Sequence, residues 1–424
     1  MIIPQSKYLP DFVQQYTDEI AFLWLYRRNA QSGNDYRSMD LAEVENRIEA
    51  NIEGMLLSND AGWHCCKENL EFEEPGEVFA AAIFAIESQD LEKLDQVFEV
   101  AGEYTALLDA IVDAFVWFPF EKNSAILESL LSHASFAYRY VALSTFAAHR
   151  QKNPPLEQAL TKAFESEDVV LTNKALLVLG ELDMSVHLAK IQELLKHDDE
   201  NIQFAAAWSA TRYGDSQALE KLKAFVAHPL YHEKALQYVV MQKDMKNTVE
   251  IIKQLLSDES TARLAIIGLG YLGNPKSIPQ IINFMKNPAL ARIAGNAFSD
   301  IAGIDLVQTK MDVDEPQGFE AGPTEDPDDE NVDMDPDEDL PWPDVDKITA
   351  WWANPENHNR FSQADRYLLG KPMSKEQLQH VLRVGNQKQR AFAANCLGLY
   401  EKDKPIFNVF SPAKFQIQML ELVH

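Results

Sequence analysis

Three cysteines in 424 residues, two of them adjacent (Cys65, Cys66) and the third at Cys396, are too few for a disulfide framework. They also stand at no CxxC spacing for zinc or dithiol chemistry, and a reducing cytoplasm suits such a chain. Basic residues are short as well: 38 Lys and Arg face 66 Asp and Glu, a net charge of −28. That sign opposes phosphate backbones and anionic lipid surfaces and favours basic partners, which argues against nucleic acid and membrane binding. No uncharged apolar run approaches the ~18 residues of a membrane span, and Met1-Ile2-Ile3-Pro4-Gln5 lacks the basic and apolar regions of an export signal. A serine-centred nucleophile elbow, a P-loop and a dinucleotide glycine fingerprint are missing too. Gly268-Leu269-Gly270-Tyr271-Leu272-Gly273 matches GxGxxG in letters, but it follows a helical pattern rather than a strand, so no helix N-terminus faces a phosphate.

What is present is apolar enough to fold: 46% apolar and 10% aromatic residues exclude wholesale disorder and fibrous classes. The apolar residues repeat. Short amphipathic segments centred on Leu160, Ile191, Leu222, Ile252 and Ile281 recur at spacings of 31, 31, 30 and 29 residues. Between them runs a second set built on small residues, around Ala142, Ala175, Ala206, Ala235, Ala265 and Ala294, with breakers such as Asn153-Pro154-Pro155 and Gly273-Asn274-Pro275 at the junctions. Each unit reads as a helix pair. A single pair cannot bury its apolar face, and an Ala at the contact lets neighbouring pairs approach to ~8–10 Å, so the units must stack into an all-α solenoid. This pattern resembles HEAT-like repeats.

Six units are expected within 132–310, preceded by a helical cap region, 1–131, where helical stripes lose the period. Residues 311–346 break the pattern. They hold sixteen acidic residues, six prolines and no Lys or Arg, a composition that cannot build a core or a long helix and reads as an acidic disordered insertion. Outside it, 50 acidic residues face 38 basic ones, an ordinary acidic surface. Residues 347–424 resume the helical pattern as a C-terminal cap.

Few constellations carry chemistry. His232-Glu233 is a lone His-Glu pair and reads as a surface helix start, since a di-iron site needs about six ligands facing one cavity. Cys65-Cys66 has no ligand partner beyond His64 and reads as buried small hydrophobes. Asp333, Asp335 and Asp337 alternate as in a calcium loop, yet Pro336 intrudes and Glu338 occupies the turn position that needs Gly. They remain candidates for a solvated loop or for a tether that recognises a basic partner. Trp342, Trp351 and Trp352 read first as packing anchors, and any that is exposed is a hot-spot candidate. No catalytic residue, cofactor or metal site is expected, so the chain reads as a binding protein and not an enzyme.

Several stretches lie outside the repeat logic: Ala21-Phe22-Leu23-Trp24-Leu25, Asp60-Ala61-Gly62-Trp63, Glu74-Pro75-Gly76-Glu77-Val78-Phe79, Gly295-Asn296-Ala297-Phe298-Ser299-Asp300, Trp351-Trp352 and Arg366-Tyr367-Leu368-Leu369-Gly370. In this order they resemble a proteobacterial family of HEAT-repeat proteins often encoded near type VI secretion genes. The resemblance implies a cytoplasmic adaptor or chaperone-like factor for secretion cargo, with another protein, a secretion effector or toxin, as partner. Two alternatives stand beside it: an immunity protein that blocks a basic toxin by charge and shape, and an enzyme of the HEAT-like hydroxylase or lyase kind.

Overall fold

The computed structural model describes residues 10–242, 245–319, 321–322, 334–402 and 404–421. Among them stand 23 α-helices and two small two-stranded sheets, the all-α solenoid class expected from the period. The chain divides into two compact units, one drawn from 1–32, 36–215 and 401–424, the other from 33–35 and 216–400.

The first unit contains α1 (Pro10–Ala30), α2 (Ser38–Leu57), α3 (Asp60–Asn69), α4 (Pro75–Glu87), α5 (Leu91–Ala101), α6 (Thr105–Val116), α7 (Phe120–Leu130), α8 (Phe136–Ala148), α9 (Pro154–Glu165), α10 (Val169–Leu182), α11 (Leu188–Leu194) and α12 (Glu200–Arg212). Starts are fixed locally. Pro75 and Pro154 occupy first turns, and the side chains of Asp90, Asn153, Asp168 and Asp199 accept from backbone amides that a helix N-terminus leaves unpaired. From α4 onward the even-numbered helices stack in order through α12, with α5, α7, α9 and α11 packed alongside. Ala81, Ala110, Ala142, Ala175 and Ala206 are fully buried along that stack. The stack therefore begins at Pro75, well before Ser132. The period is illegible there because α4 is buried on nearly every face from Val78 to Ile86, which erases the polar stripe that periodicity detects.

The second unit contains α13 (Ser216–Ala224), α14 (His232–Val240), α15 (Met245–Leu256), α16 (Ala262–Leu272), α17 (Ile278–Phe284) and α18 (Pro288–Ala302). After them come β1 (Asp312–Val313), β2 (Trp342–Pro343), α19 (Val345–Ala353), α20 (Pro355–His358), β3 (Tyr367–Leu368), β4 (Lys371–Pro372), α21 (Lys375–Val384) and α22 (Gln387–Tyr400). Helices α14, α16 and α18 form a small-residue stack within this unit, with Ala235, Ala265 and Ala294 buried. β1 and β2 pair antiparallel, Asp312 opposite Pro343 and Val313 opposite Trp342, and the amide of Asp344 donates to the carbonyl of Met311 (2.8 Å). The described flanks of the acidic segment thus pack on α18, with Leu340 and Trp342 buried.

Each unit closes its helix C-termini with an extended strap. In the second unit, the Arg366 guanidinium donates to the carbonyls of Val240 and Gln242 (2.7 and 2.6 Å) at the end of α14. The amide of Tyr367 donates to Gly273 (2.7 Å) after α16, and that of Leu369 to Asp300 (2.6 Å) in α18. In the first unit, the amide of Ile406 donates to Glu181 (2.9 Å) and the Asn408 side chain to Ala148 (2.9 Å). The carbonyl of Phe410 accepts from Arg27 and Gln31 near the end of α1. The last described helix of this unit, α23 (Ala413–Glu421), packs on α2. Apart from those to the Phe410 carbonyl, which belongs to the strap, the strap hydrogen bonds satisfy carbonyls at or near helix C-termini that a helix cannot pair itself. The stretch after residue 346 is accordingly shared, with 347–400 in the second unit and 401–424 in the first.

Candidate protein-binding surfaces

In the first unit the stack and its strap leave a cavity of about 300 Å³. Helical spacing furnishes its polar groups: Asp109 and Asp113 lie one turn apart on α6, Lys174 and Glu181 two turns apart on α10, and Arg28 comes from α1. Val112, Val116, Leu177 and Val178 supply apolar lining. All three carboxylates accept hydrogen bonds. Tyr140 donates to Asp109 (2.9 Å), Trp24 and Arg28 to Asp113 (3.2 Å each), and Arg150 to Glu181 (2.9 Å). Burial raises the Asp113 carboxyl above its usual range, against the pull of Arg28 and Arg27. The Lys174 ammonium lies 4.4 Å from the Tyr140 ring centre. With its charges compensated, the cavity offers hydrogen-bonding edges beside an apolar floor, an arrangement suited to binding.

One turn along α1 from Arg28, the same helix turns apolar side chains to solvent: Phe22 is 62% exposed, Leu25 41% and Tyr26 41%. The Phe22 and Tyr26 rings stack (6.5 Å between centres), and Tyr36 meets Tyr26 edge-on (5.9 Å). The opposite face of α1 buries Ile20, Leu23, Trp24 and Arg27. Phe22, Leu25 and Tyr26 fall at i, i+3 and i+4, a second apolar face on a helix that needs one.

In the second unit, the residues singled out in the sequence face their own chain. Asp337 is paired with Arg263 and Asp335 with Arg292, while Asp333 lies outside the described residues. Trp342 is buried against Phe319 (4.8 Å) and the Arg292 guanidinium (4.6 Å). Trp351 and Trp352 are half-buried, Trp351 edge-on to Phe298 (5.6 Å) and Trp352 edge-on to His358 (4.7 Å). All three tryptophans pack on rings of the second unit.

His232-Glu233 opens α14, the helix start expected, but both residues are half-buried rather than at the surface, and Glu233 is engaged within the unit. Its carboxylate is half-buried and accepts from the Tyr271 hydroxyl (2.5 Å), which also accepts from Gln237 (3.0 Å). Burial and the Glu233 carboxylate together push the Tyr271 phenol well up. Beside it, Asp300 accepts from Gln389 (2.7 Å), and burial pushes its carboxyl up to about 6. Among the described residues no group of three His, Cys, Asp or Glu is placed to hold a metal ion. No described helix is long and apolar enough to cross a membrane.

Stacked helix pairs, an Ala-lined contact and strapped C-termini define an α-solenoid. Residues 154–235, α9 to the start of α14, match the HEAT repeats family, which supports a HEAT-repeat protein. No curated protein and no solved structure matches the chain. HEAT repeats suggest a protein-interaction scaffold, with other proteins as its partners.

Proposed function

We propose that the chain is a non-catalytic protein-binding solenoid, a cytoplasmic adaptor or chaperone-like factor for type VI secretion cargo, and that its partner docks on the first unit along α1. The observation that carries the docking surface is the exposed Phe22, Leu25 and Tyr26 stripe leading to Arg28 and the polar cavity. Exposed aromatic residues beside satisfied polar groups are the composition of interface hot spots. The secretion role rests on the family resemblance. The acidic balance favours a second reading, an immunity protein that blocks a basic toxin.

The test is capture by tagged full-length protein, natural and Phe22→Ser/Tyr26→Ser, from cells of the source organism, with identification by mass spectrometry. The natural chain should retain a secretion effector or component, and the double variant should retain it at least tenfold less while melting at the same temperature. At ~2 kcal/mol per hot-spot residue, the loss is large enough to read. Equal capture by both proteins rejects the α1 surface. Capture confined to a basic toxin selects the immunity reading.

A further inference from the structure

Lys234, Arg263 and Arg292 stand 29 residues apart, on α14, α16 and α18. The apolar centres Ile252 and Ile281 have the same separation, so successive repeats of the second unit each place one base at a corresponding position. Arg263 and Arg292 are engaged by carboxylates of the chain itself. Arg263 donates through both terminal nitrogens to Asp337, one bond at 2.7 Å, and Arg292 donates to Asp335. The Arg292 side chain is only 8% exposed and is held 4.6 Å from the Trp342 ring centre and 5.5 Å from that of Phe319. It cannot swing away to find another partner. The two carboxylates are presented together, because the amide of Asp337 donates to the Asp335 side chain (2.9 Å) across Pro336.

The two halves of this contact differ in origin. The arginines belong to the helical stack, which sets their spacing. The carboxylates belong to a turn that follows the acidic segment. Planar guanidinium groups held in fixed positions recognise carboxylates bidentately, and their geometry does not depend on which chain supplies the acid. We propose that Arg263 and Arg292 form a seat for an acidic protein segment supplied in trans, carrying two carboxylates two residues apart, and that Asp335 and Asp337 fill this seat in cis as a built-in competitor.

A tethered competitor acts at a high effective concentration, so the seat binds a free segment weakly until the turn is displaced. The net charge of −28 repels an acidic segment at a distance. At physiological salt that repulsion is screened beyond about 8 Å, and the paired contacts decide. This surface lies in the second unit and is independent of the α1 stripe, so either stands if the other fails.

The experiment uses the full chain and a fluorescent peptide with the sequence of residues 334–343, read by anisotropy. The chain carrying Asp335→Asn and Asp337→Asn should bind the peptide at least tenfold more tightly than the natural chain. Adding Arg263→Gln or Arg292→Gln should remove the gain, and a peptide with Asn at both acidic positions should not bind. If the double variant unfolds, Asp335→Asn alone, which leaves the Asp337 and Arg263 pair intact, must show a smaller gain in the same direction. Peptide binding that is no tighter to either variant than to the natural chain, or that ignores both arginines, overturns the proposal.

Discussion

Asp300 carries the clearest pH signature of any single residue. Half-buried in α18 and bonded to Gln389, its carboxyl titrates at about 6 in the folded chain, against about 3.9 for an unperturbed Asp. The folded state therefore holds this proton more tightly than the unfolded state. The resulting stabilisation is complete below the unfolded value and is lost as pH rises through about 6. Asp300→Asn keeps an acceptor for Gln389 and removes the charge. It should be more stable than the natural chain at pH 7.5 by on the order of 1–2 kcal/mol, a figure reduced for partial exposure. The difference should vanish near pH 4. Urea melts at the two pH values measure it, and a difference that does not change with pH rejects the assignment. Nothing in the sequence marks Asp300, because its shift comes from burial beneath distant elements. The same holds for Asp335 and Asp337, whose residue types suggested recognition but whose arginines lie 43 and 74 residues away in sequence. Only the Phe22, Leu25 and Tyr26 stripe had a local signature.

At the scale of elements, the helix pairs from α9 onward were legible because an amphipathic outer helix, a small-residue inner helix and a proline or glycine junction recur together. The straps were not legible. Arg366–Gly370 has no periodicity of its own, and its order comes from the unpaired carbonyls of three helices. Gly273 is where strap and stack meet. Its φ is +65°, and an added Cβ would stand 2.4 Å from the Tyr367 carbonyl oxygen, so the helix end admits the strap only without a side chain. Gly273→Ala should cost about 2–4 kcal/mol, from left-handed backbone strain and lost strap hydrogen bonds. The amides of Tyr367 and Leu369 should then lose protection in hydrogen exchange. Gly214 provides the control: its φ is +87° with nothing within 4 Å of an added Cβ, and Gly214→Ala should cost about 1 kcal/mol from backbone strain alone. Equal costs at the two sites would show that the strap does not depend on Gly273.

At the scale of the whole molecule, charge separates what holds the fold from what acts at a distance. Of the sixteen acidic residues in 311–346, Asp335 and Asp337 are neutralised by arginines, and Asp344 caps α19 and pairs with Lys347. These three belong to the fold. Seven others, Glu320, Glu325, Asp326, Asp328, Asp329, Glu330 and Asp333, follow one another within fourteen residues with no base among them. Changing all seven to Asn or Gln moves the net charge from −28 to −21. Removing like charges from an acidic protein relieves self-repulsion and deletes no apolar contact that the sequence supplies, so the melting temperature should hold or rise slightly. Association should respond differently. A cluster of seven carboxylates attracts a basic partner over a Debye length of about 30 Å at 0.01 M salt, and over only about 8 Å at physiological strength. The neutralised variant should therefore bind a basic captured partner several-fold more slowly than the natural chain at low salt and at nearly the same rate at 0.15 M, with little change in dissociation rate. Stopped-flow or surface-based kinetics at the two salt concentrations make the comparison. Association rates that coincide at low salt would remove steering from the segment's role and leave Asp335, Asp337 and Asp344 as the acidic residues there with an identified task.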